Sequence, residues 1–87
     1  MSARYAVEFA RPAERAFQRL DPAIRDRIIP RLRALAETPR PAGAIKLAGH
    51  EHTYRIRVGD WRIVYELRDA VLIVLVLRIG HRREVYR

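Results

Sequence analysis

The fold is decided by the stretch from Thr53 to Arg87, TYRIRVGDWRIVYELRDAVLIVLVLRIGHRREVYR. Apolar and basic residues alternate on both sides of Gly59-Asp60, a pair whose leading glycine suits a type II′ hairpin turn. This alternation predicts two antiparallel strands. The aliphatic run from Val71 to Leu77 predicts a third and central strand, because apolar residues on both faces are typical of a strand that is covered on both sides.

The segment before this stretch has the pattern of one strand followed by two helices. Apolar residues alternate from 5 to 9, which indicates a first strand. They recur at helical spacing after Pro12, and Asp21-Pro22 begins a second helix because proline is tolerated in the first helical turn. Pro30 lies inside the second helix and predicts a kink or a junction there.

These elements together predict an α+β fold. It consists of an N-terminal strand, a helical hairpin and a three-stranded antiparallel meander, which form a four-stranded sheet with the helices on one face. Residues 42–51 carry mixed signals and are expected to form a loop with at most a short strand. The chain shows no internal repeat, low-complexity segment or linker, so residues 1–87 are predicted to be a single domain.

Composition limits the kind of protein that this chain can be. A domain of 87 residues buries only a modest part of its surface, so a permanent partner would stabilise it. The absence of cysteine excludes disulfides and thiolate metal sites and fits a reducing compartment. Its longest apolar run is far shorter than the ~20 residues of a membrane span, and we expect a cytoplasmic protein. The net charge of +8 favours a polyanionic partner.

A basic face is predicted on the first hairpin. A two-residue turn sets Arg57 opposite Arg62 and Arg55 opposite Val64, so the three arginines share one face. Like charges that face each other across strands cost a few tenths to ~1 kcal/mol. An anionic ligand would remove that cost. The alternative is that these are ordinary solvated positions in an arginine-rich chain.

The tail after the third strand is rich in groups that can act on a phosphodiester. Cleavage of RNA through its 2′-hydroxyl needs a proton acceptor, positive charge on the pentavalent intermediate and a donor for the leaving 5′-oxygen, and it needs no metal. The tail offers these residue types within a short span: Arg78, His81, Arg82, Arg83, Tyr86 and Arg87. A metal site at His50-Glu51-His52 is not expected, because two ligands on opposite faces of a strand have no third ligand nearby.

Four segments of the chain carry a family resemblance. They are Lys46-Leu47 with Gly49, the run from Tyr54 to Arg57, the run from Trp61 to Tyr65, and the run from Gly80 to Tyr86. In order and spacing they resemble the RelE/ParE toxin superfamily, on its RelE side, over essentially the whole chain. The resemblance implies a metal-independent endoribonuclease that cuts mRNA in the ribosomal A site and is held inactive by an antitoxin encoded beside it.

The same resemblance implies roles for individual residues. Arg62 would hold the scissile phosphate, Arg82 would stabilise or protonate the leaving oxygen, and Tyr86 would stack on or orient the nucleotide. The remaining basic positions of the motifs would bind RNA: Arg55, Arg57, Lys46 and Arg83. No cofactor is implied.

The chain departs from the RelE pattern on its second strand. Where that pattern has lysine, this sequence has Arg55 and Arg57, and a guanidinium stays protonated at any working pH. These side chains can stabilise charge but are poor bases. Histidine has a suitable pKa, so His81 is the first candidate for the proton acceptor, and His50 and His52 are the second.

Charge and marginal stability also predict the partner. We expect an acidic antitoxin segment, at least partly helical, that folds on the sheet or the helical hairpin in a toxin–antitoxin hetero-oligomer. Three other functions remain open: a ParE-like gyrase poison, a catalytically inactive regulator bound to its antitoxin, and a small basic protein that stacks nucleic-acid bases on Tyr54, Trp61 and Tyr86. Tyr54 and Trp61 lie on the face opposite Arg57, which favours a place in the core.

Overall fold

A computed structural model describes residues 4–82. This part of the chain forms two α-helices and five β-strands, with a short 3₁₀ turn at Asp69–Val71 before the last strand. In chain order the elements are β1 (Ala6–Phe9), α1 (Arg11–Arg19), α2 (Pro22–Glu37), β2 (Ile45–Lys46), β3 (Thr53–Val58), β4 (Trp61–Arg68) and β5 (Ile73–His81). The predicted α+β class is confirmed. Neither described helix combines the length and the apolar character that crossing a bilayer demands.

The sheet has five strands rather than the predicted four, in the order β1-β5-β4-β3-β2. β1 runs parallel to β5, and the other neighbours are antiparallel. The additional strand is β2, which pairs Ile45 with Arg55 and Lys46 with Tyr54. Two residues are too few to show a strand periodicity, so this edge strand is defined only by its pairing with β3.

The first hairpin has the predicted turn and register. Gly59 has a φ of 61°, and Asp60 is not among the residues with positive φ, as a type II′ turn requires. Val58 pairs with Trp61, and Arg57 pairs with Arg62. The side-chain alternation therefore puts Arg57 and Arg62 on one face, and Trp61 on the other.

The hydrophobic core lies between the helices and one face of the sheet. Its largest fully buried side chains are Tyr65, Ile28, Leu35, Ile56, Ile63, Leu67, Val74 and Val76. An irregularity in the β4–β5 pairing changes the alternation within β5. Val64 pairs with Arg78 but Tyr65 pairs with Val76, so Leu77 is an extra residue and the buried positions pass from 74 and 76 to 79.

The helix α2 continues through Pro30 as one element of 16 residues, so the expected junction is absent. Pro30 is exposed, whereas Ile28, Leu32 and Leu35 are buried in the core. Packing of this apolar stripe outweighs the hydrogen bond that the proline removes. Pro22 occupies the start of the helix as predicted.

Candidate functional site

Four arginines occupy the sheet face that points away from the helices, and we call this surface the arginine face. Two cross-strand rows build it. One row is Arg57, Arg62 and Gly80, and the next is Arg55, Val64 and Arg78. Adjacent strands are about 5 Å apart and alternate residues of a strand about 7 Å apart, so the four guanidinium groups can converge on one ligand.

Arg62 is the buried centre of the arginine face. Only 6% of its surface is exposed, while Arg57 and Arg78 are exposed and Arg55 is intermediate. A charge held away from bulk water interacts more strongly with an opposite charge than a solvated one does. An anion bound here would therefore interact strongly with the buried Arg62 at the centre, and the more exposed arginines around it could adjust their side chains to the anion.

The structure brings Arg55, Arg57 and Arg62 together as the sequence predicts, and adds Arg78, which the sequence placed among the cations of the tail but not on this face. The side on which Arg78 lies depends on the irregularity at Leu77, which no local pattern reveals. Arg82 lies at the same end of the sheet, since its backbone N–H donates to the carbonyl oxygen of Asp60 over 2.8 Å. The predicted site residues Arg83 and Tyr86 lie outside the described residues.

Lys46 lies on a different surface from these arginines. It is exposed in β2 and pairs with Tyr54, whose ring stacks on that of Tyr65 at a centroid distance of 5.8 Å. Tyr65 is in the core, so this register position belongs to the helix side of the sheet. Tyr54 and Trp61 both pack against the core, as predicted.

His81 also lies opposite the arginine face. It pairs with Trp61 at the end of β5, and the two rings meet edge to face at a centroid distance of 5.8 Å. Arg62 is the next residue after Trp61, so strand alternation directs it to the other face of the sheet. The described geometry separates the imidazole of His81 from the guanidinium of Arg62.

His50 and His52 lie at the far end of the sheet, before β3. His52 is exposed and lies 3.7 Å from the carboxylate of Glu51, measured from Nε2 to Oε2. Both histidines line an open groove with Glu66 and Asp69. Among residues 4–82, no three His, Cys, Asp or Glu side chains are grouped as a metal site.

A polar cluster at this far end joins four parts of the chain. The guanidinium of Arg40 donates to Oδ2 of Asp69 over 2.7 Å and to the hydroxyl of Tyr54 over 3.0 Å, and the hydroxyl of Tyr5 donates to Asp69. The hydrogen bonds from Arg40 and then Tyr5 lower the pKa of the Asp69 carboxyl. The bond to Asp69 in turn raises the pKa of Tyr5. Residues this far apart in the chain give no joint signal in the sequence.

Charge is divided between the two ends of the sheet. The Asp69 end, where β1 and β5 begin, holds the arginine–carboxylate ion pairs Arg4–Glu37, Arg40–Asp69 and Arg68–Glu66. The turn end, at Gly59-Asp60, holds Arg57, Arg27 and Arg19, none of which makes an ion pair within residues 4–82. The turn end thus holds three arginines without an ion-pair partner in the described residues, beside the carboxylate of Asp60.

Comparison with known proteins places this chain and its fold in a family. The family model described as the ParE toxin of the type II toxin-antitoxin system parDE matches residues 7–86. The chain belongs to the RelE/ParE toxin superfamily. This RelE/ParE-type chain is 35% identical over 81 residues to a protein of Escherichia coli described as RelE-like toxin, with coverage of 91% of this chain and 84% of that protein.

Two further similarities are to RelE itself. The chain is 30% identical over 86 residues to the mRNA interferase toxin RelE of Escherichia coli K12, covering 94% of this chain and 90% of RelE. Its fold matches the toxin in the crystal structure of the intact E. coli RelBE toxin–antitoxin complex with a TM-score of 0.79 and 28% identity. That match covers 88% of this RelE/ParE-type chain and 95% of the other.

Proposed function

We propose that this toxin is a ribosome-dependent endoribonuclease that cuts mRNA in the ribosomal A site. The 2′-hydroxyl next to the scissile phosphate would attack the phosphorus and lose its proton to water while the bond to the 5′-oxygen breaks, and no metal would take part. The observation that carries the proposal is the arginine face with the buried Arg62 at its centre. The similarity to E. coli RelE, an mRNA interferase, supports it. This substrate places the toxin in the cytoplasm.

In this proposal the arginines supply electrostatic stabilisation. Arg62 holds the scissile phosphate, and Arg55, Arg57 and Arg78 spread the negative charge that grows on its oxygens. Arg82 stabilises or protonates the leaving 5′-oxygen. The other sequence-predicted contacts keep supporting roles in this proposal: Lys46 and Arg83 bind RNA, and Tyr86 orients the nucleotide.

The placement of the histidines bears on proton transfer. Direct transfer to His81 would require its imidazole to leave Trp61 and cross to the other face, while His50 and His52 lie at the opposite end of the sheet. We therefore expect charge stabilisation by the arginines to contribute more to the cleavage rate than proton transfer by a histidine.

Cleavage mapping in induced cells tests whether the arginines contribute more to cleavage than the histidines. Primer extension should show cuts in phase with codons, and Arg62→Gln should lower cleavage by about 10²–10³, the usual effect of removing one preorganised donor. The substitutions His81→Ala, His50→Ala and His52→Ala should each lower cleavage by less than about tenfold. Loss of a true general acid or base usually lowers the rate by at least about a hundredfold. Capture by the antitoxin and an unchanged melting temperature show that each variant is folded. A histidine variant as inactive as Arg62→Gln would establish the histidine-assisted cut instead.

A second candidate is a ParE-like gyrase poison, which the family model favours because it describes ParE over residues 7–86. The two functions differ in their cellular effects. Induction of the SOS response without cuts in mRNA would identify a gyrase poison. The absence of any toxicity would identify a catalytically inactive, antitoxin-bound regulator.

The proposed partner is an acidic antitoxin that is at least partly helical. The net charge of +8 favours it, and the E. coli toxin that this chain resembles was solved in complex with its antitoxin. Binding to the folded state should raise the melting temperature of the toxin in proportion to the logarithm of antitoxin concentration. A toxin whose melting temperature is unchanged by the neighbouring gene's product would contradict this part of the proposal.

A further inference from the structure

A second concave surface lies on the helix side of the sheet, at the turn end. It is a groove of about 290 Å³, lined by Ala16, Arg19, Leu20, Trp61 and Ile79, and we call it the turn groove. Ala16, Leu20 and Ile79 give it an apolar floor, and the indole ring of Trp61 forms a wall. It lies across the sheet from the arginine face, because Trp61 and Arg62 are neighbours in one strand.

Two arginines lie near the turn groove. Arg19 is exposed at the end of α1. Arg27 reaches from α2 to the hairpin turn, where its Nη2 lies 2.6 Å from the position that a Cβ on Gly59 would occupy. Neither guanidinium makes an ion pair in the part of the chain from 4 to 82. His81 packs edge-on against the same indole.

An aromatic side chain near two guanidinium groups that make no ion pair within residues 4–82 fits an unpaired nucleotide. Bases of single strands stack on aromatic side chains, and their phosphates bind to nearby arginines. The other apolar groove, between α1, α2 and β1, is lined by Tyr5, Phe9 and Leu32, and its two arginines are Arg4, which pairs with Glu37, and Arg33. The turn groove differs from this groove in its position, because it lies at the end of the sheet that also carries Arg57 and Arg62 of the arginine face.

We propose that the turn groove holds an unpaired nucleotide of the RNA that the arginine face binds. The inference rests on the proposed function and extends its substrate contact around the edge of the sheet. A strand of RNA that leaves Arg57 and Arg62 reaches Trp61 by passing the Gly59-Asp60 turn, since all of these residues lie at the turn end. The base stacks on Trp61, and the flanking phosphates bind Arg19 and Arg27.

The fluorescence of Trp61 gives a direct test, because it is the only tryptophan of the chain. An unstructured oligoribonucleotide of twelve nucleotides is titrated into the full-length toxin without ribosomes, so that binding is observed without cleavage. We expect saturable quenching of Trp61. Inorganic polyphosphate of the same charge should compete for the arginines without that quenching, because it has no base to stack.

Two substitutions in the full-length toxin measure the phosphate contacts. Arg19→Gln and Arg27→Gln should each reduce the slope of log K against log salt by about 0.7, which weakens binding about fourfold at 0.15 M salt. Arg33→Gln is the matched control, because it removes an exposed arginine of α2 that lines the other groove. It should change the affinity less than either substitution at the turn end.

Three results would overturn the inference. One is saturation with labelled RNA, followed by anisotropy, without any change in Trp61 fluorescence. Another is equal behaviour of Arg19→Gln, Arg27→Gln and Arg33→Gln. The third is quenching by an antitoxin peptide but not by RNA. Cleavage mapping separates this inference from the proposed function. If mRNA is cut but Trp61 is not quenched, only the nucleotide site in the turn groove is wrong. If Trp61 is quenched but mRNA is not cut, the nuclease function is wrong and the turn groove remains an RNA-binding site.

Discussion

Arg57 and Arg62 face each other across the β3–β4 hairpin, and this pairing opposes two positive charges in adjacent strands. Such a pair destabilises a sheet by a few tenths to ~1 kcal/mol. The main core cluster takes its hairpin residues from the other face, including Ile56 and Ile63, and contains neither arginine. The stability of the fold does not explain this pair of arginines, whereas binding of an anionic ligand would.

The residue-scale prediction concerns this pair. Arg57→Gln should raise the free energy of unfolding by a few tenths to ~1 kcal/mol, because it removes the cross-strand repulsion. The same change should weaken RNA binding. Urea denaturation in low and high salt measures the gain, which should shrink as salt screens the charges.

Arg33→Gln is the control for Arg57→Gln, because Arg33 is exposed in α2 and has no facing arginine in a strand. We expect its free energy of unfolding to stay close to that of the parent protein. A loss of stability in Arg57→Gln would show that the pair is not repulsive in the folded toxin.

At the scale of elements, the hairpin turn decides which residues meet. Gly59 adopts a φ of 61°, and the guanidinium of Arg27 lies against it. The turn thereby fixes the register of β3 and β4, and with it the arginine face. The irregularity at Leu77 then brings Arg78 to the same face and leaves Ile79 in the core.

Gly59→Ala should destabilise the toxin by about 1–2 kcal/mol, the cost of a left-handed conformation for a residue with a side chain. Its Cβ would also displace Arg27, whose flexible side chain can move away. Gly59→Asn should lose less, because asparagine tolerates positive φ. Chemical denaturation measures both variants.

Gly43→Ala is the control for the turn, because a Cβ at Gly43 would meet nothing within 4 Å. It should be neutral or stabilising by about 0.4–1 kcal/mol, through the lower entropy of the unfolded chain. If Gly59→Ala and Gly43→Ala had equal stability, the turn would not require a glycine.

At the scale of the whole molecule, the two ends of the sheet differ in how their charged residues interact. At the Asp69 end, hydrogen bonds from Arg40 and Tyr5 to Asp69 join the loop after α2, the start of β1 and the turn before β5. The hydroxyl of the buried Tyr65 donates to the carbonyl oxygen of Pro39 over 2.8 Å at this end, and burial raises its pKa to about 12. The turn end instead presents Arg19, Arg27 and Arg57, which make no ion pair in the described part of the chain.

Acid should weaken the Asp69 end. The pKa of Asp69 is lower in the folded chain than its ordinary value of about 4, so its carboxylate stabilises the fold above that pH. This contribution is lost as the pH falls through the lowered pKa. Asp69→Asn should therefore be less stable than the parent near pH 7, and the difference should close on acidification below about pH 4.

Thermal unfolding between pH 2 and pH 7 measures this difference. Asp26→Asn is the matched control, because Asp26 is an exposed residue of α2 outside the cluster. It should follow the parent curve closely at neutral pH. A constant gap between Asp69→Asn and the parent over the whole range would mean that the carboxylate is not the source of the stability.

The sequence by itself determined the hairpin and its consequences. A period of two in the side chains and a glycine-led turn are local properties, and they suffice to fix the register that puts Arg55, Arg57 and Arg62 on one face. The same local patterns gave the two helices and the α+β class. The motifs that resemble RelE are also readable without coordinates, and the family match agrees with them.

Only the tertiary structure decided what surrounds this face. The pairing of β2, the place of Arg78 and the side on which His81 lies depend on contacts between residues far apart in the chain. The extra residue at Leu77 shifts the alternation of β5, and an aliphatic run that is apolar on both faces conceals such a shift. Burial of Arg62 and the separation of His81 from it are therefore properties of the assembled sheet, because packing between strands sets them.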